Sequence, residues 1–229
     1  MRVRVATTAL GITALAVLAL PACSTEAQPA SVSSPSGGGK TASAEQTEAS
    51  LSSAVLEERL LNESDLGSGY TRKPEQLAQH DDVTVLGCPA LNDLGGDAAT
   101  GGSLDFTRQA KATFAYNGSS SSEISEELYS DAPAKLSAGA SRIYDAMTGC
   151  PRYQVLVGDS AIDITTQKVP APPLGAERWS QLMTFSVGGR DTVVKQSAIR
   201  DGSVLVIISG SPALVDRHID SALTKAVAR

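Results

Sequence analysis

The most regular pattern in the chain runs through residues 179–226, which read WSQLMTFSVGGRDTVVKQSAIRDGSVLVIISGSPALVDRHIDSALTKA. Its first part alternates between two faces, one with Trp179, Met183, Phe185 and Val187 and the other with Ser180, Thr184 and Ser186. A period of two indicates a β-strand. Gly188-Gly189 and Asp201-Gly202 then separate it from two further strand-like runs, and both dipeptides tolerate the positive φ angles of two-residue hairpin turns. The sequence therefore predicts a C-terminal three-stranded antiparallel meander.

A closing helix is predicted after the meander. Ser211 and Pro212 stand at the N-cap and first-turn positions that these residue types favour. The residues that follow place one apolar stripe at helical spacing, made of Val215, Ile219, Ala222, Leu223 and Ala226. We expect this helix to pack on the sheet.

The chain before the meander contributes further elements. Apolar periodicity predicts strands at Val83–Leu86, Lys111–Tyr116, Tyr153–Val157 and Ala161–Val169, and helices at Leu51–Leu61 and Pro133–Thr148. Gly149 stands where a helix often ends on a left-handed residue. This order predicts an α+β fold in which helices cover one face of an antiparallel sheet.

The N-terminus has the features of an export signal. Two arginines in the first four residues precede an apolar run, Val5–Leu20, that contains no acidic residue. The run is short for a bilayer span, which needs about 20 residues. It ends in Leu20-Pro21-Ala22-Cys23, which resembles the lipobox of exported lipoproteins. Residues 1–22 are therefore predicted to be a signal peptide and Cys23 the lipid-modified first residue of the mature protein, with an ordinary secretory signal and a chance cysteine as the alternative.

The mature chain is predicted to consist of a tether and one domain. Residues 23–50 are rich in Ser, Thr, Ala, Pro and Gly, and such a segment cannot bury enough surface to offset its ordering entropy. We expect a disordered tether there, at the outer face of the plasma membrane, followed by a single domain over residues 51–229. No second apolar run is long enough to span a bilayer, so the acyl chains on Cys23 would provide the membrane anchor.

The charge balance excludes one class of partner. The chain has 19 Lys and Arg against 25 Asp and Glu, a net charge of −6, and loss of the signal peptide would remove two arginines and no acid. Nucleic acids and anionic membranes attract basic patches. We therefore expect no nucleic-acid partner.

The two remaining cysteines, Cys88 and Cys150, are predicted to form a disulfide. Each stands in a Gly-Cys-Pro triplet at the end of a predicted element, and an exported protein folds where thiols oxidise. The chain-entropy model values closure of this loop at about 4 kcal/mol. A redox or nucleophilic thiol is the alternative, but it requires a Cys-x-x-Cys partner or a positioned base, and the sequence shows neither.

Catalytic and metal-binding signatures are almost absent. The sequence lacks a nucleophile elbow, a Ser-x-x-Lys, a His-Glu-x-x-His and a phosphate loop. His80-Asp81-Asp82 favours a solvated acidic turn over a metal site, and His218 favours a surface or boundary position over the role of a base. Asp159 and Asp163 are too weak a pattern for a glycosidase pair. We predict no catalytic residue, no metal site and no cofactor.

Two connections suit a recognition surface. Asn117–Ser122 is a long polar loop, and Pro170–Gly175 is a stiff link between two predicted strands. Loops on a rigid sheet often carry binding sites, although both segments also fit a purely connecting role. The sequence names no ligand-contacting residue.

The order of these parts resembles the extracellular sensor domain of mycobacterial PknH-type Ser/Thr kinases and the actinobacterial lipoproteins that share it. The resemblance covers residues 51–229 and rests on the leucine-rich opening helix, on Asp65–Tyr70, on Cys88-Pro89-Ala90-Leu91, on the helix ending in Cys150-Pro151 and on the late hairpins. It implies a sheet flanked by helices, a cleft for a small ligand and no enzymatic activity. The kinase domain has two disulfides and this chain can form one inside its domain, so no cleft residue is carried over.

The sequence thus predicts a non-enzymatic cell-envelope lipoprotein that binds or senses a small envelope ligand. A lipid carrier with an apolar cavity is the first alternative. A hydrolase with an unrecognised site is the second.

Overall fold

An antiparallel sheet forms the centre of the structure, which is a computed structural model. The structure describes residues 49–74, 83–95, 106–117, 122–158 and 160–228. Within these residues nine strands are joined in the order β1-β3-β4-β9-β8-β7-β6-β5-β2. They are β1 (Tyr70–Arg72), β2 (Val83–Leu86), β3 (Gln109–Tyr116), β4 (Ser122–Ser130), β5 (Arg152–Val157), β6 (Ser160–Lys168), β7 (Glu177–Val187), β8 (Arg190–Asp201) and β9 (Val204–Gly210).

The helices lie before, between and after the strands. In the same part of the chain they are α1 (Ser53–Arg59), α2 (Glu63–Leu66), α3 (Pro89–Asn92), α4 (Pro133–Gly149) and α5 (Pro212–Ala226). The predicted α+β class is therefore confirmed. Gly149 is the last residue of α4 and does not adopt a positive φ angle, so its predicted role as a left-handed terminator is wrong.

The C-terminal meander and closing helix are confirmed. Strands β7, β8 and β9 pair in sequence order, and Trp179 lies opposite Ala198, which lies opposite Ile207. Gly188 and Gly189 adopt φ angles of 56° and 77°, as a tight hairpin between two right-twisted strands requires.

The helices cover both faces of the sheet, so the prediction that they cover one face is wrong. In the central strand β9, Val204, Val206 and Ile208 pack in the cluster with α1 and α5. The alternate residues Leu205 and Ile207 pack in the cluster with α4. A strand that is buried on both faces has a continuous apolar run instead of an alternating one, which is the pattern of residues 204–208.

The strands β1 and β4 were not expected from the sequence. Strand β4 lies inside the sheet, paired with β3 on one side and β9 on the other. Its apolar residues Ile124 and Leu128 are four positions apart and are separated by the acidic Glu126, so no period of two is visible. The sequence of β4 has only a weak preference of its own for a strand, and pairing with two neighbouring strands determines its structure.

Candidate functional site

Several residues singled out in the sequence lie outside the described part of the chain. They are Cys23, His80, Asp81, Asp82, Ser119, Ser120, Ser121 and Asp159. The lipid anchor, the signal peptide and the tether therefore stay predictions. Asp163 lies on β6, where its carboxylate accepts a hydrogen bond of 3.0 Å from Gln154 Nε2.

The cysteines form the predicted disulfide, with Cys88 and Cys150 joined across 5.6 Å between their Cα atoms. Cys88 precedes α3 and Cys150 follows α4, so the bond joins the ends of two helices. Both residues lie in an apolar cluster with Met147 and Tyr153. The bond is a structural crosslink, and neither sulfur is a free nucleophile.

The Pro170–Gly175 link between β6 and β7 packs against the body of the fold. Leu174 contacts the core cluster of α5. Gly175 has a φ angle of 61°, and a β-carbon there would lie 2.5 Å from Ile199 Cγ2 and 2.7 Å from the carbonyl oxygen of Arg200. Only glycine tolerates both the angle and this close approach. The segment therefore contributes to packing on the α5 face.

His218 is buried, so its predicted surface or boundary position is wrong. The side chain lies next to the apolar stripe of α5, and its ring meets Tyr70 edge to face at 5.8 Å between centroids. Burial, followed by the positive charge of Arg217, lowers the pKa of His218. The start of β1 covers this side of α5, which the sequence of the helix alone does not reveal.

A row of polar side chains crosses the opposite face of the sheet, the face on which α4 packs. Gln181, Gln196, Ser209 and Ser125 lie directly opposite one another on β7, β8, β9 and β4. Residues paired in this way share one face of the sheet. Gln181 is fully buried and the other three are half-buried. We call these four residues the polar row.

Gln181 has an incomplete set of hydrogen bonds. Its Nε2 donates to Gln196 Oε1 at 2.9 Å and approaches the sulfur of Met147, on α4, at 3.2 Å. Its Oε1 is buried and has no partner among the described residues. The sequence contains a signal for this site, because Gln181 lies between Trp179 and Met183 on the apolar face of its strand.

Helix α4 itself carries a second buried polar group without a partner among the described residues. Tyr144 of α4 is buried, its Oη has no partner among the described residues, and its ring lies 6.3 Å from that of Trp179. Burial, followed by the negative charge of Glu127, raises the pKa of Tyr144, so the phenol stays protonated and can donate a hydrogen bond. Trp179 precedes the polar row by two residues on β7.

Glu127 borders this region and is already paired. Its carboxylate accepts hydrogen bonds from Lys111 Nζ at 2.6 Å and from Tyr129 Oη at 2.7 Å. Burial, followed by the charge of Glu127, raises the pKa of Tyr129. The carboxylate is thereby fixed in place, with its charge balanced by the lysine.

This face carries both hydrogen-bonding and aromatic groups. It offers an amide oxygen and a hydroxyl donor that have no partner within the described part of the chain, together with half-buried serine hydroxyls and two aromatic rings. His218, the histidine that the structure describes, packs on the opposite face of the sheet. Among the described residues no group of three His, Cys, Asp or Glu side chains could hold a metal ion, and none of the helices there is long and apolar enough to cross a membrane.

The comparisons with known proteins give a likeness of fold. No family model matches the chain, and no curated protein matches it. The structure is similar to the crystal structure of the extracellular domain of PknH from Mycobacterium tuberculosis, with a TM-score of 0.57 at 14% identity over 77% of this chain and 98% of that chain. A putative uncharacterized protein from Mycobacterium smegmatis gives a TM-score of 0.41 at 11% identity, over 72% of this chain and 93% of that chain. The first of these two likenesses gives the described residues a PknH-like fold.

Proposed function

We propose that the protein is a non-enzymatic, extracytoplasmic binding or sensor module of the PknH-type family, anchored to the outer face of the plasma membrane by lipid on Cys23. The export signal and lipobox of residues 1–23 support the location. The fold shared with the extracellular domain of PknH supports the family.

The proposed binding site is the α4 face of the sheet, at the polar row. The observation that carries this proposal is that two buried groups on this face, Gln181 Oε1 and Tyr144 Oη, have no hydrogen-bond partner among the described residues. A buried polar atom without a hydrogen bond costs about 1–3 kcal/mol. A ligand that supplies one donor and one acceptor recovers this cost. The half-buried serines of the polar row give the site a solvent-facing side.

The ligand class follows from the groups on offer. A neutral molecule with both donors and acceptors matches an amide oxygen, a phenol and serine hydroxyls, and a flat or ring-shaped part can contact Trp179 and Tyr144. The net charge of −6 disfavours an anion at long range. Small neutral envelope components, such as N-acetylated sugars and short wall peptides whose carboxyl groups are amidated, fit this description.

A thermal-shift screen with N-acetylated sugars, neutral disaccharides and short wall peptides tests the proposal. A ligand that binds only the folded state raises the melting temperature. Tyr144→Phe and Gln181→Leu should each reduce the shift that a hit produces. Gln167→Leu, at an exposed glutamine on β6, is the matched control and should leave that shift unchanged.

Two results would contradict the proposal. One is a ligand-induced shift that is equally large in the Tyr144 and Gln181 variants. The other is turnover of an esterase, peptidase or glycosidase substrate that survives repurification and disappears on replacement of one polar side chain.

A further inference from the structure

Glu126 is a carboxylic acid placed inside the apolar core. It lies in the middle of β4, opposite Ala112 on β3 and Ile208 on β9, and only 1% of its surface is exposed. Its face of the sheet is the one that α1 and α5 cover. It is therefore separated from the proposed ligand site by the thickness of the sheet.

The carboxyl group makes one hydrogen bond where two chain segments meet. Glu126 Oε2 accepts from the backbone N–H of Leu61 at 2.6 Å, and Oε1 is buried without a partner among the described residues. Leu61 lies between α1 and α2, and its side chain and that of Leu60 are buried in the core. We call residues 53–66 the N-terminal corner. Glu126 is a buried polar contact between this corner and the centre of the sheet, whereas the hydrogen bonds from Gln109 N–H to Ser53 Oγ and from Arg72 N–H to Glu63 Oε1 are exposed.

The charged groups of α1 and α2 do little to stabilise a charge on Glu126. Asp65 of α2 is acidic and raises the pKa of Glu126. Arg59 of α1 donates from Nη1 to the carbonyl oxygen of Ala226 at 2.8 Å. The remaining acids of α1 and α2 are exposed, namely Glu57, Glu58 and Glu63.

The other elements packed on Glu126 contribute one cation. Lys225 of α5 lowers the pKa of Glu126, but its ammonium group is engaged in an ion pair with Asp65. His218 of α5 is held in its neutral form, because burial lowers its pKa. Burial is the dominant influence and raises the pKa of Glu126 to about 7, against the hydrogen bond from the Leu61 N–H, which lowers it. Titration of this group therefore falls near neutrality.

We propose that Glu126 is a proton-operated latch: a proton on its Oε1 keeps the N-terminal corner packed on the sheet, and loss of that proton to solvent loosens the corner. The neutral acid keeps Oε2 free to accept from Leu61 N–H and carries no buried charge. The ionised form leaves a charged oxygen in an apolar environment, which is unfavourable. Lifting the corner lets water reach that oxygen, so the ionised state favours the loosened corner.

The sign of the pH dependence follows from this cycle. The pKa of Glu126 is higher when the corner is packed than when it is open, so the packed form binds the proton more tightly. Packing is strengthened as the pH falls from about 7 toward the ordinary carboxyl range and weakened as the pH rises. His218 acts in the opposite direction, because its protonation at acidic pH opposes burial, and a variant at Glu126 separates the two effects.

Hydrogen exchange of the purified protein at about pH 5.5 and about pH 8, corrected for intrinsic rates, tests the latch. The equilibrium constant for opening of the amides in the N-terminal corner should be larger at about pH 8 than at about pH 5.5, by about tenfold or more. Glu126→Gln should abolish this rise. Glu123→Gln is the matched control, because Glu123 lies on the same strand in an exposed ion pair with Lys73, and it should respond as the parent does.

Three results would overturn the proposal. They are an unchanged pH response in Glu126→Gln, a flat response in the parent, and a response that spreads evenly to α5 and β9. If Glu126→Gln does not fold, carbon-13 NMR of the parent decides the question directly. A carboxyl carbon of Glu126 that titrates near neutrality supports the latch, and one that titrates near pH 4 contradicts it.

Discussion

Gln181 and Glu126 are the two side chains that most distinguish this domain from a sheet built for stability alone. Each lies between apolar neighbours on a buried face of its strand, and each has one oxygen without a partner among the described residues. Such groups reduce stability, because desolvation is not repaid by hydrogen bonds. Glu126 belongs to the α5 face and the proposed latch. Gln181 belongs to the α4 face and the proposed ligand site.

Two tyrosines on the α4 face provide a matched test at the residue scale. Tyr129 Oη donates to the carboxylate of Glu127, whereas Tyr144 Oη has no partner in the part of the chain that the structure describes. Tyr129→Phe should lower the free energy of unfolding by about 1–3 kcal/mol, because a charge-assisted bond to a half-buried carboxylate is lost. Tyr144→Phe should raise it by up to about 1–3 kcal/mol, because the change removes a buried hydroxyl that lacks a hydrogen bond. Urea denaturation of both variants measures the difference, and an equal loss in the two would show that Tyr144 is also hydrogen-bonded in solution.

At the scale of elements, the disulfide and the buried strand β9 organise the fold. The Cys88–Cys150 bond fastens α3, next to the edge strand β2, to the end of α4. Strand β9 carries the packing of α5 on one face and of α4 on the other. The β7, β8 and β9 hairpins follow from local signals, namely alternation and glycine turns. Strand β4 does not, since its position depends on β3 and β9, which are distant in the sequence.

Removal of the disulfide should destabilise the domain without unfolding it. The double change Cys88→Ser and Cys150→Ser should lower the free energy of unfolding by about 3–4 kcal/mol, because the unfolded chain regains the freedom of a long loop. Urea denaturation measures this loss. Alkylation of the freshly exported parent under denaturing, non-reducing conditions is the control and should label no thiol. Two labelled thiols in that sample would contradict the disulfide.

At the scale of the whole molecule, the sheet separates two regions with different proposed roles. The α4 face holds the proposed binding site, and the α5 face holds Glu126 and the N-terminal corner that follows the predicted tether. The fold class can be predicted from the sequence, because the alternation of strands and the apolar stripes of helices are local patterns.

The candidate site cannot be predicted in this way. Its residues become neighbours only through the order of the strands, and they are Gln181, Gln196, Ser209 and Ser125. The assignment of helices to two faces depends on that same order.

The predicted anchor is tested by a change at Cys23. Metabolic labelling with a fatty-acid analogue should tag the parent protein, because a lipobox cysteine carries acyl chains. Cys23→Ala should lose the label and either leave the membrane fraction or retain its signal peptide. An alanine variant that still takes the label and stays in the membrane fraction would refute lipidation at this position.

The central claim is that the polar row on the α4 face binds a small neutral ligand, and an NMR titration tests it most directly. An N-acetylated sugar or wall peptide that raises the melting temperature should shift the side-chain amides of Gln181 and Gln196 and the backbone amides of Ser125 and Ser209. Ser180 and Ser197 are bonded to each other on the opposite face and should remain unshifted. Shifts confined to that opposite face, or a full set of unshifted resonances at a saturating concentration of every compound in the screen, would contradict the claim.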